Sequence, residues 1–260
     1  MTNRARRVFI GLPAYNEEVA LPRLLQRIER LIASSRETVT TVLYNDGCAD
    51  ATVPIAQGWQ ERLPLVILGC ARNKGLGAGL RALVAYAVAT GHDDDVLVVM
   101  DCDDTHDPCQ IGEILGAMAG EAGAAGGAEV VVASRFTRGA LIRGVPLLRR
   151  ITALGAMVLF KLIHPVRGVW DYTCGYRGYR IGALKVASAR YGAGLIRESG
   201  FACMVELLLK LNALGFRFAE VPLQLRYDQK PTASKMNVGG NLRRLLILLV
   251  RWRVRGFAAL

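Results

Sequence analysis

The sequence predicts an α/β protein in which one mostly parallel sheet carries helices on both faces. In the first half of the chain, short β-rich runs alternate with longer segments whose apolar residues recur at helical spacing. Polar turns follow several of these runs, as ligand-binding loops do in such sheets. With 260 residues, 52% of them hydrophobic, the chain can form one large core, and we treat it as one domain.

Five β-strands are predicted in the first half of the chain. Each is a short run dominated by aliphatic residues and bounded by turn residues. They cover residues 8–12, 39–44, 65–70, 96–100 and 130–133. Because segments of helical length separate the strands, we expect the strands to run parallel.

Helices are predicted between these strands. In residues 17–34 leucine and isoleucine recur at helical spacing, and Asp50 is a candidate N-cap for the next helix. Residues 77–90 form a third predicted helix, and Asp107 can cap a fourth. Residues 117–128 are rich in Gly and Ala and are expected to be a loop or a weak helix end.

The second half of the chain is more helical and more basic, and the alternation weakens after Arg135. Its clearest predicted helices are residues 146–163 and 201–214. Two strand-like runs follow, at 216–221 and 223–227. We expect this half to close over the first.

The composition excludes some classes of function. The formal charge of +11 means that the surface attracts anions, such as phosphorylated substrates, phospholipid headgroups or nucleic acid. Nucleic acid is ranked low, because only 7% of the residues are aromatic and they do not alternate with basic ones. The six cysteines lack zinc spacing, which favours reduced thiols in a cytosolic protein. The sequence shows no signal peptide and no apolar run of spanning length.

Three polar turns follow predicted strands: residues 13–17, 45–47 and 101–103. All three are expected at the carboxyl edge of the sheet, where ligands bind. There Asp46 could accept hydrogen bonds from a base or ribose, or could simply form an Asx-turn with the glycine that follows.

A glycine-rich turn at residues 72–79 follows the third strand and opens a helix. Its position suits a phosphate, but its spacing matches neither the dinucleotide fingerprint nor the P-loop. The alternative is a turn that needs glycine for its backbone conformation. This alternative is favoured when the turn is considered alone.

Asp101 and Asp103 are the sharpest feature. Residues at i and i+2 point to the same side of a strand, so the two carboxylates would repel each other unless a cation lay between them or one stayed protonated. Mg²⁺ and Mn²⁺ take few protein carboxylates and complete their shells with water and phosphate oxygens. The alternative is a helix cap or a solvated acidic turn. The neighbouring acidic residues Asp104 and Asp107 are consistent with this alternative.

Basic residues of the second half could surround the same site. Guanidinium groups bind phosphate through two hydrogen bonds, although each arginine alone could be a solvated surface charge. The candidates are Arg135, Arg149, Arg150, Arg177, Arg180 and Lys235.

Taken together, these motifs resemble those of family 2 glycosyltransferases with the GT-A fold, and within them the polyprenyl-phosphate branch that is similar to dolichol-phosphate mannose synthase. The resemblance covers roughly residues 7–240, with several motifs in the same order and spacing. The matching segments are residues 12–17, 44–52, 101–108, 133–135, 171–177, 205–206, 220–222 and 234–236.

The resemblance implies a GT-A catalytic domain over residues 1–240 and a basic, apolar C-terminal helix over 241–260. Residues to about 125 would form the nucleotide-binding half and residues from about 126 the acceptor-binding half. A cytoplasmic protein is expected. Its C-terminal helix could lie on an anionic membrane surface or pack on the core with its arginines in water.

The resemblance also assigns roles to individual residues. The nucleotide-sugar would contact Pro13, Tyr15, Glu17, Asp46, Asn73, Gly75, Asp101, Cys102 and Asp103. Mg²⁺ or Mn²⁺ would be held by Asp101, Asp103 and Thr105. Phosphate or acceptor contacts would come from Arg149, Asp171, Thr173, Arg177, Lys230, Ser234 and Lys235. The catalytic group would comprise Asp101, Asp103, Arg135, Arg177 and Glu206.

Three departures from the family pattern stand out. Thr105 replaces a glutamine that helps hold the metal, Gln229 replaces an arginine, and Asn45 replaces the first acid of the second motif. Lys230 could restore the lost charge, although lysine lacks the fork geometry of arginine.

The reaction implied by the resemblance is inverting transfer of a sugar, with mannose from GDP-mannose as the first guess, to a polyprenyl phosphate. Such an acceptor is already an anion, whereas a hydroxyl acceptor would need a general base, for which Glu206 and Asp171 are the candidates. The alternatives are transfer to a soluble or peptide hydroxyl, and a non-catalytic nucleotide-binding scaffold with the same fold.

Overall fold

The computed structural model describes residues 5–120, 127–230 and 238–255. In this part of the chain the strands are β1 Arg7–Ala14, β2 Thr38–Asp46, β3 Leu65–Cys70, β4 Val96–Val99, β5 Val130–Ser134, β6 Leu141–Arg143, β7 Arg177–Arg180, β8 Phe218–Pro222 and β9 Gln224–Arg226. The helices are α1 Leu21–Ser34, α2 Thr52–Trp59, α3 Leu76–Thr90, α4 Ile111–Ala119, α5 Leu147–Ile163, α6 Ile181–Tyr191, α7 Ala202–Ala213 and α8 Val238–Arg255.

Seven of the described strands form one sheet in the order β3-β2-β1-β4-β7-β5-β8. β3, β2, β1 and β4 pair in parallel, as do β5 and β8. β7 alone runs antiparallel, between β4 and β5. The predicted α/β fold with a mostly parallel sheet is therefore confirmed. The remaining strands, β6 and β9, form a separate parallel pair.

The sheet has a hydrophobic core on each face because successive side chains of a strand point to opposite sides. In β1, Ile10 and its alternate neighbours pack against α1, α2 and α4. Phe9 faces the opposite core, formed with α3, α6 and α7. Leu24 and Ile28 of α1 are fully buried, as their helical spacing predicts.

Two elements at the centre of the fold, β7 and α6, were not predicted. β7 has the sequence Arg-Gly-Tyr-Arg, which shows neither an aliphatic run nor apolar alternation. It is a strand because it fills the gap between β4 and β5, so tertiary pairing overrides local propensity.

Asp107 caps the 3-10 turn Pro108–Gln110 that leads into α4, and its side chain accepts from the Cys109 amide. The predicted N-cap Asp50 lies one residue too early, because Ala51 is the N-cap of α2, although the Asp50 carboxylate does accept from the Thr52 amide.

Sheet register brings the polar turns to one edge. Ala14 at the end of β1 pairs with Asn45 of β2, and Asp46 pairs with Cys70 of β3. Segment 101–105 leaves β4 at the same edge. Because β7 is antiparallel, the residues that precede it, 171–176, also lie there. This edge positions the candidate site.

Candidate active site

A cavity of about 450 Å³ opens at the carboxyl edge of the parallel strands. It brings together fourteen of the residues that the sequence singled out, from both halves of the chain. They are Pro13, Tyr15, Glu17, Asp46, Asn73, Gly75, Asp101, Cys102, Asp103, Thr105, Arg135, Arg149, Thr173 and Lys230. The turns after β1, β2, β3 and β4 therefore build one site with segments that follow β5 and precede β7.

Asp46 fixes the glycine-rich turn. Its carboxylate accepts hydrogen bonds from the amides of Lys74 at 2.8 Å and Gly75 at 2.9 Å. Gly75 has φ of +83°, and a Cβ there would lie 2.5 Å from the carbonyl oxygen of Ser199. This turn requires glycine, because both the positive φ and the close approach exclude a side chain. The alternative of a turn that needs glycine for its backbone is therefore confirmed at Gly75. The turn also lines the cavity, and its contact with a phosphate stays a prediction.

Asn45 closes the turn that follows β2. Its Oδ1 accepts a hydrogen bond of 2.8 Å from the amide of Cys48. A side-chain oxygen is all that this bond requires, and an amide supplies it as well as a carboxylate does.

Asp103 is held by two partners inside the cavity. The ammonium of Lys230 forms an ion pair with Oδ2, and the Thr105 hydroxyl donates to Oδ1 at 2.7 Å. Burial alone would raise the pKa of Asp103, but Lys230 and these hydrogen bonds hold it below its ordinary value. Lys230 therefore supplies a cation directly to the acidic motif.

Asp101 has a different environment. Burial raises its pKa above the ordinary value, and the neighbouring Asp103 carboxylate adds to the rise. The Asp101 backbone amide donates to Nδ1 of His106 at 3.2 Å, and that ring stacks on Tyr176 with centroids 4.9 Å apart. His106, which carried no predicted role, orients the turn that presents both carboxylates.

Asp104 belongs to the scaffold. It is buried, has φ of +58°, and pairs with Arg23 and Arg27 of α1. Asp104 does not line the cavity. The acidic cluster therefore divides into a pair that faces the site and a residue that anchors the turn to α1.

The residues present fit a hard divalent cation. Two carboxylates, Asp101 and Asp103, face the cavity, and carboxylate oxygens are ligands that Mg²⁺ and Mn²⁺ accept. The described part of the chain contains no cluster of three or more His, Cys, Asp or Glu side chains suited to a metal. An ion at this site would therefore need phosphate and water oxygens, which is the mode that Mg²⁺ adopts with nucleotides.

Arg135 is presented to the cavity by Asp171. The Asp171 carboxylate is fully buried and accepts from Arg135 Nε at 2.7 Å and Nη2 at 2.6 Å, while Nη2 also donates to the Thr173 hydroxyl at 2.6 Å. Burial alone would raise the pKa of Asp171, but Arg135 holds it below its ordinary value. Asp171 thus positions Arg135, and the prediction that it contacts the acceptor itself is wrong.

Two predicted catalytic residues lie outside the cavity. The guanidinium of Arg177 is fully buried and donates to the carbonyl oxygens of Tyr172, Cys174 and Met204 at 2.6–2.7 Å. Its donors tie two segments of the fold together, and the side chain lies outside the cavity, so the prediction that Arg177 binds phosphate is wrong.

Glu206 is likewise committed to the core. Oε1 pairs with Lys210 at 2.6 Å, and Oε2 accepts from the amides of Arg197 and Glu198. Glu206 is buried and does not line the cavity. The prediction of a catalytic role is therefore wrong, because neither oxygen is free to take a proton from an acceptor. Ser234 and Lys235 lie outside the described residues.

The cavity wall also contains apolar residues, which were not predicted. Tyr227 lines the cavity as well, where its hydroxyl accepts from Arg149 Nη1 at 2.9 Å and its ring lies beneath Arg149 and Lys230. The apolar lining includes Val145, Ala153, Ala156, Leu223, Leu225 and Leu245. Small aliphatic residues on a helix give no sequence signal that separates a cavity wall from a core.

Comparison with known proteins gives relatives over nearly the whole chain. The polyprenol monophosphomannose synthase of Mycolicibacterium smegmatis is 26% identical over 96% of this chain and 88% of its own length. The undecaprenyl-phosphate mannosyltransferase of Micrococcus luteus is 28% identical over 95% of this chain and 93% of its own length.

Solved structures share the GT-A fold. The glucosyl-3-phosphoglycerate synthase of Mycobacterium tuberculosis, in complex with Mn²⁺ and UDP-glucose, superposes with a TM-score of 0.64. The match covers 95% of this chain and 79% of that chain at 20% identity. The sequence pattern of glycosyl transferase family 2 matches residues 9–185, which is more than half of the chain, and the chain therefore belongs to this family of glycosyltransferases.

Proposed function

We propose that the protein transfers a sugar from a nucleotide-sugar to a polyprenyl phosphate with inversion at the anomeric carbon, and that mannose from GDP-mannose is the first donor to test. One observation carries the proposal: a single cavity is lined by the carboxylates of Asp101 and Asp103, by cationic side chains that include Arg149 and Lys230, and by apolar side chains. That combination suits a diphosphate and an isoprenoid phosphate bound in one cavity.

The donor would occupy the end near β1, β2 and β3. Pro13, Tyr15 and Glu17 line this part of the cavity, and the turn braced by Asp46 completes it. Arg135, held in place by Asp171, would contact the diphosphate or the incoming acceptor phosphate.

Asp101 and Asp103 would hold a Mg²⁺ or Mn²⁺ ion together with the donor diphosphate. A bound divalent cation stabilises the negative charge that develops on the departing diphosphate. In this chain Thr105 orients Asp103 through its hydroxyl, and Lys230 would move from Asp103 to phosphate oxygens as the donor binds.

The acceptor proposal rests on the lack of a suitable base at the predicted positions. A hydroxyl must lose its proton in order to attack, whereas a phosphate monoester oxygen is already an anion at neutral pH. Glu206 and Asp171 are both buried and engaged by hydrogen bonds. An anionic acceptor avoids the need for either. The names of the mycobacterial and micrococcal relatives agree with a lipid-phosphate acceptor and with mannose.

The test is donor consumption. Purified protein with Mn²⁺ or Mg²⁺ is incubated with a panel of nucleotide-sugars, with and without polyprenyl phosphate in detergent, and nucleoside diphosphate release is measured. We expect release from GDP-mannose that depends on the polyprenyl phosphate. Release that ignores the lipid, or that responds to a soluble hydroxyl acceptor, would contradict the acceptor proposal. No release above that of the Asp103→Asn variant would contradict the reaction itself.

A further inference from the structure

Glu206 and Lys210 form a buried ion pair that the transfer chemistry does not use. They lie one turn apart on α7, with exposed fractions of 3% and 1%, and Glu206 Oε1 contacts Lys210 Nζ at 2.6 Å. Taking two charges out of water is costly, and replacing such a pair by apolar side chains is often neutral or stabilising. The stability of the core alone therefore does not explain why α7 carries this pair.

The second oxygen of Glu206 holds the backbone of a loop, residues 194–199, which we call the clamped loop. Oε2 accepts from the amides of Arg197 and Glu198 at 2.7 and 2.8 Å. Hydrogen bonds from backbone amides to a buried carboxylate are among the stronger ones in proteins, because the acceptor is charged. Glu206 therefore fixes the path of the chain at these two residues.

Two cations hold the clamped loop by its carbonyl groups. Lys210 Nζ donates to the carbonyl oxygens of Gly194 and Leu195 at 2.5 and 3.3 Å. Arg81 lies on α3, the helix that the glycine-rich turn opens, and its Nη1 donates to the Ile196 carbonyl oxygen at 2.8 Å. The backbone of the loop is thus tied to α7 and to α3.

The clamped loop packs directly against the backbone of the glycine-rich turn. The Ser199 carbonyl oxygen accepts from the Gly77 amide at 2.9 Å. A Cβ on Gly77 would lie 1.9 Å from the Glu198 carbonyl oxygen, and a Cβ on Gly75 would lie 2.5 Å from the Ser199 carbonyl oxygen. Contacts this close leave no space between loop and turn, so a displacement of the loop would displace the turn.

The same turn forms part of the cavity wall. Gly75 and Leu76 line the cavity, as does Phe201, which follows the clamped loop. Asp46 also braces the turn, because its carboxylate accepts from the amides of Lys74 and Gly75. The turn is therefore held at two places, by Asp46 within the cavity wall and by the clamped loop behind it, since residues 194–199 do not line the cavity.

We propose that Glu206 and Lys210 are positioning residues of the donor site, although neither touches the donor. Through the clamped loop they hold the glycine-rich turn in the conformation that receives the nucleotide-sugar. The pair therefore acts on donor binding from behind the cavity wall. The role in donor binding rests on the proposed function, whereas the link between loop and turn does not.

The test releases the loop and keeps the packing of α7. Glu206→Leu/Lys210→Met, the apolar variant, replaces the ion pair by side chains of similar size that the core can bury. Glu206→Gln/Lys210→Met, the amide variant, keeps an oxygen that can accept from both loop amides. Arg81→Met changes an exposed residue and releases the loop at Ile196 only. Ile28→Ala is the control for lost stability elsewhere, because Ile28 lies in the core on the opposite face of the sheet from α3.

Hydrogen exchange of the ligand-free proteins tests the link between loop and turn. In the apolar variant we expect exchange to become about tenfold faster or more in residues 72–79 as well as in 194–199. Arg81→Met should show a smaller increase in both segments. The amide variant and Ile28→Ala should stay near the wild type in residues 72–79. Wild-type exchange in residues 72–79 of the apolar variant and of Arg81→Met would overturn the inference.

Calorimetric titration with GDP and with UDP, each in the presence of Mn²⁺, tests the role in donor binding. The apolar variant should bind the nucleoside diphosphate about tenfold more weakly than the wild type, the amide variant should regain most of the affinity, and Ile28→Ala should bind normally. The KM for polyprenyl phosphate should stay near that of the wild type in all of them. Equal weakening in Ile28→Ala, or wild-type affinity in the apolar variant, would overturn the inference. Failure of the wild type to bind either diphosphate would overturn the donor site of the proposed function, while hydrogen exchange would still decide the link between loop and turn.

Discussion

Replacing Arg177 with methionine should destabilise the fold and leave ligand binding nearly unchanged. The guanidinium donates to three buried carbonyl oxygens, those of Tyr172, Cys174 and Met204. The Met204 carbonyl keeps its intrahelical donor in α7, whereas the other two carbonyls lose theirs. Each buried carbonyl left without a donor costs about 1 to 3 kcal/mol, so the lower bound for the loss is about 2 kcal/mol. For a chain of this size, that loss lowers the melting temperature by about 4 to 8 °C.

The assay compares thermal unfolding and steady-state kinetics of Arg177→Met and Arg149→Met. Arg149 lines the cavity and is only half-buried, so its substitution should lower the melting temperature by no more than about 3 °C and should raise KM. Arg177→Met should lower the melting temperature, with KM near that of the wild type. A wild-type melting temperature combined with a raised KM in Arg177→Met would refute the structural role.

Three further substitutions follow from contacts in the cavity wall. Lys230→Met should raise the Mn²⁺ affinity of the donor-free protein about fivefold, because the ammonium and the ion compete for Asp103. The affinity is measured by electron paramagnetic resonance, and an unchanged affinity would contradict this competition. Gly75→Ala should raise the donor KM and lower the melting temperature by about 3 °C or more. The added Cβ would clash with the Ser199 carbonyl, and the positive φ disfavours any residue with a side chain. Wild-type values of both quantities would show that the turn tolerates a side chain. The pKa of Asp171 is lower in the folded state, so its ion pair stabilises the fold above about pH 4 and loses that effect as pH falls through the folded pKa. In Asp171→Asn the melting temperature should therefore fall less steeply at acid pH than in the wild type. An unchanged pH dependence would contradict the stabilising effect of this ion pair.

Much of the site could be predicted because it depends on strand ends. Aliphatic runs locate the parallel strands, and the carboxyl ends of parallel strands meet at one edge. Asp46, Asp101 and Asp103 therefore fall together although 57 residues separate the first from the last. Motif order then supplied the family, which the comparison confirms.

Burial of charged residues could not be predicted from residue type. Arg177 and Arg135 belong to the same group of basic residues in the sequence, yet Arg177 caps backbone carbonyls and Arg135 faces the cavity. The difference arises from β7, whose antiparallel pairing between two distant strands has no local signature. Glu206 was misjudged for the same reason, because its partners come from residues 197–198 and 210, and only the fold brings them together.

The outward face of α5 was also invisible in the sequence. Its periodicity predicted a helix, and residues Leu147–Ile163 form one. Helical periodicity identifies an apolar face but does not say what covers it. In this helix two apolar faces exist, and only the one with Ala153 and Phe160 is buried, whereas Ile151 and Leu154 are exposed.

The assignment of Asp103 to the catalytic centre is tested by comparing two neighbouring substitutions, Asp103→Asn and Asp104→Asn. The release of nucleoside diphosphate per folded molecule is measured with polyprenyl phosphate and Mn²⁺. Asp103 faces the cavity, whereas Asp104 pairs with two arginines of α1 and lies outside it. We expect Asp103→Asn to lose about 100-fold or more in turnover and to stay folded. Asp104→Asn should melt at a lower temperature and keep turnover within a few-fold of the wild type. Wild-type turnover in Asp103→Asn would show that this carboxylate does not belong to the catalytic centre.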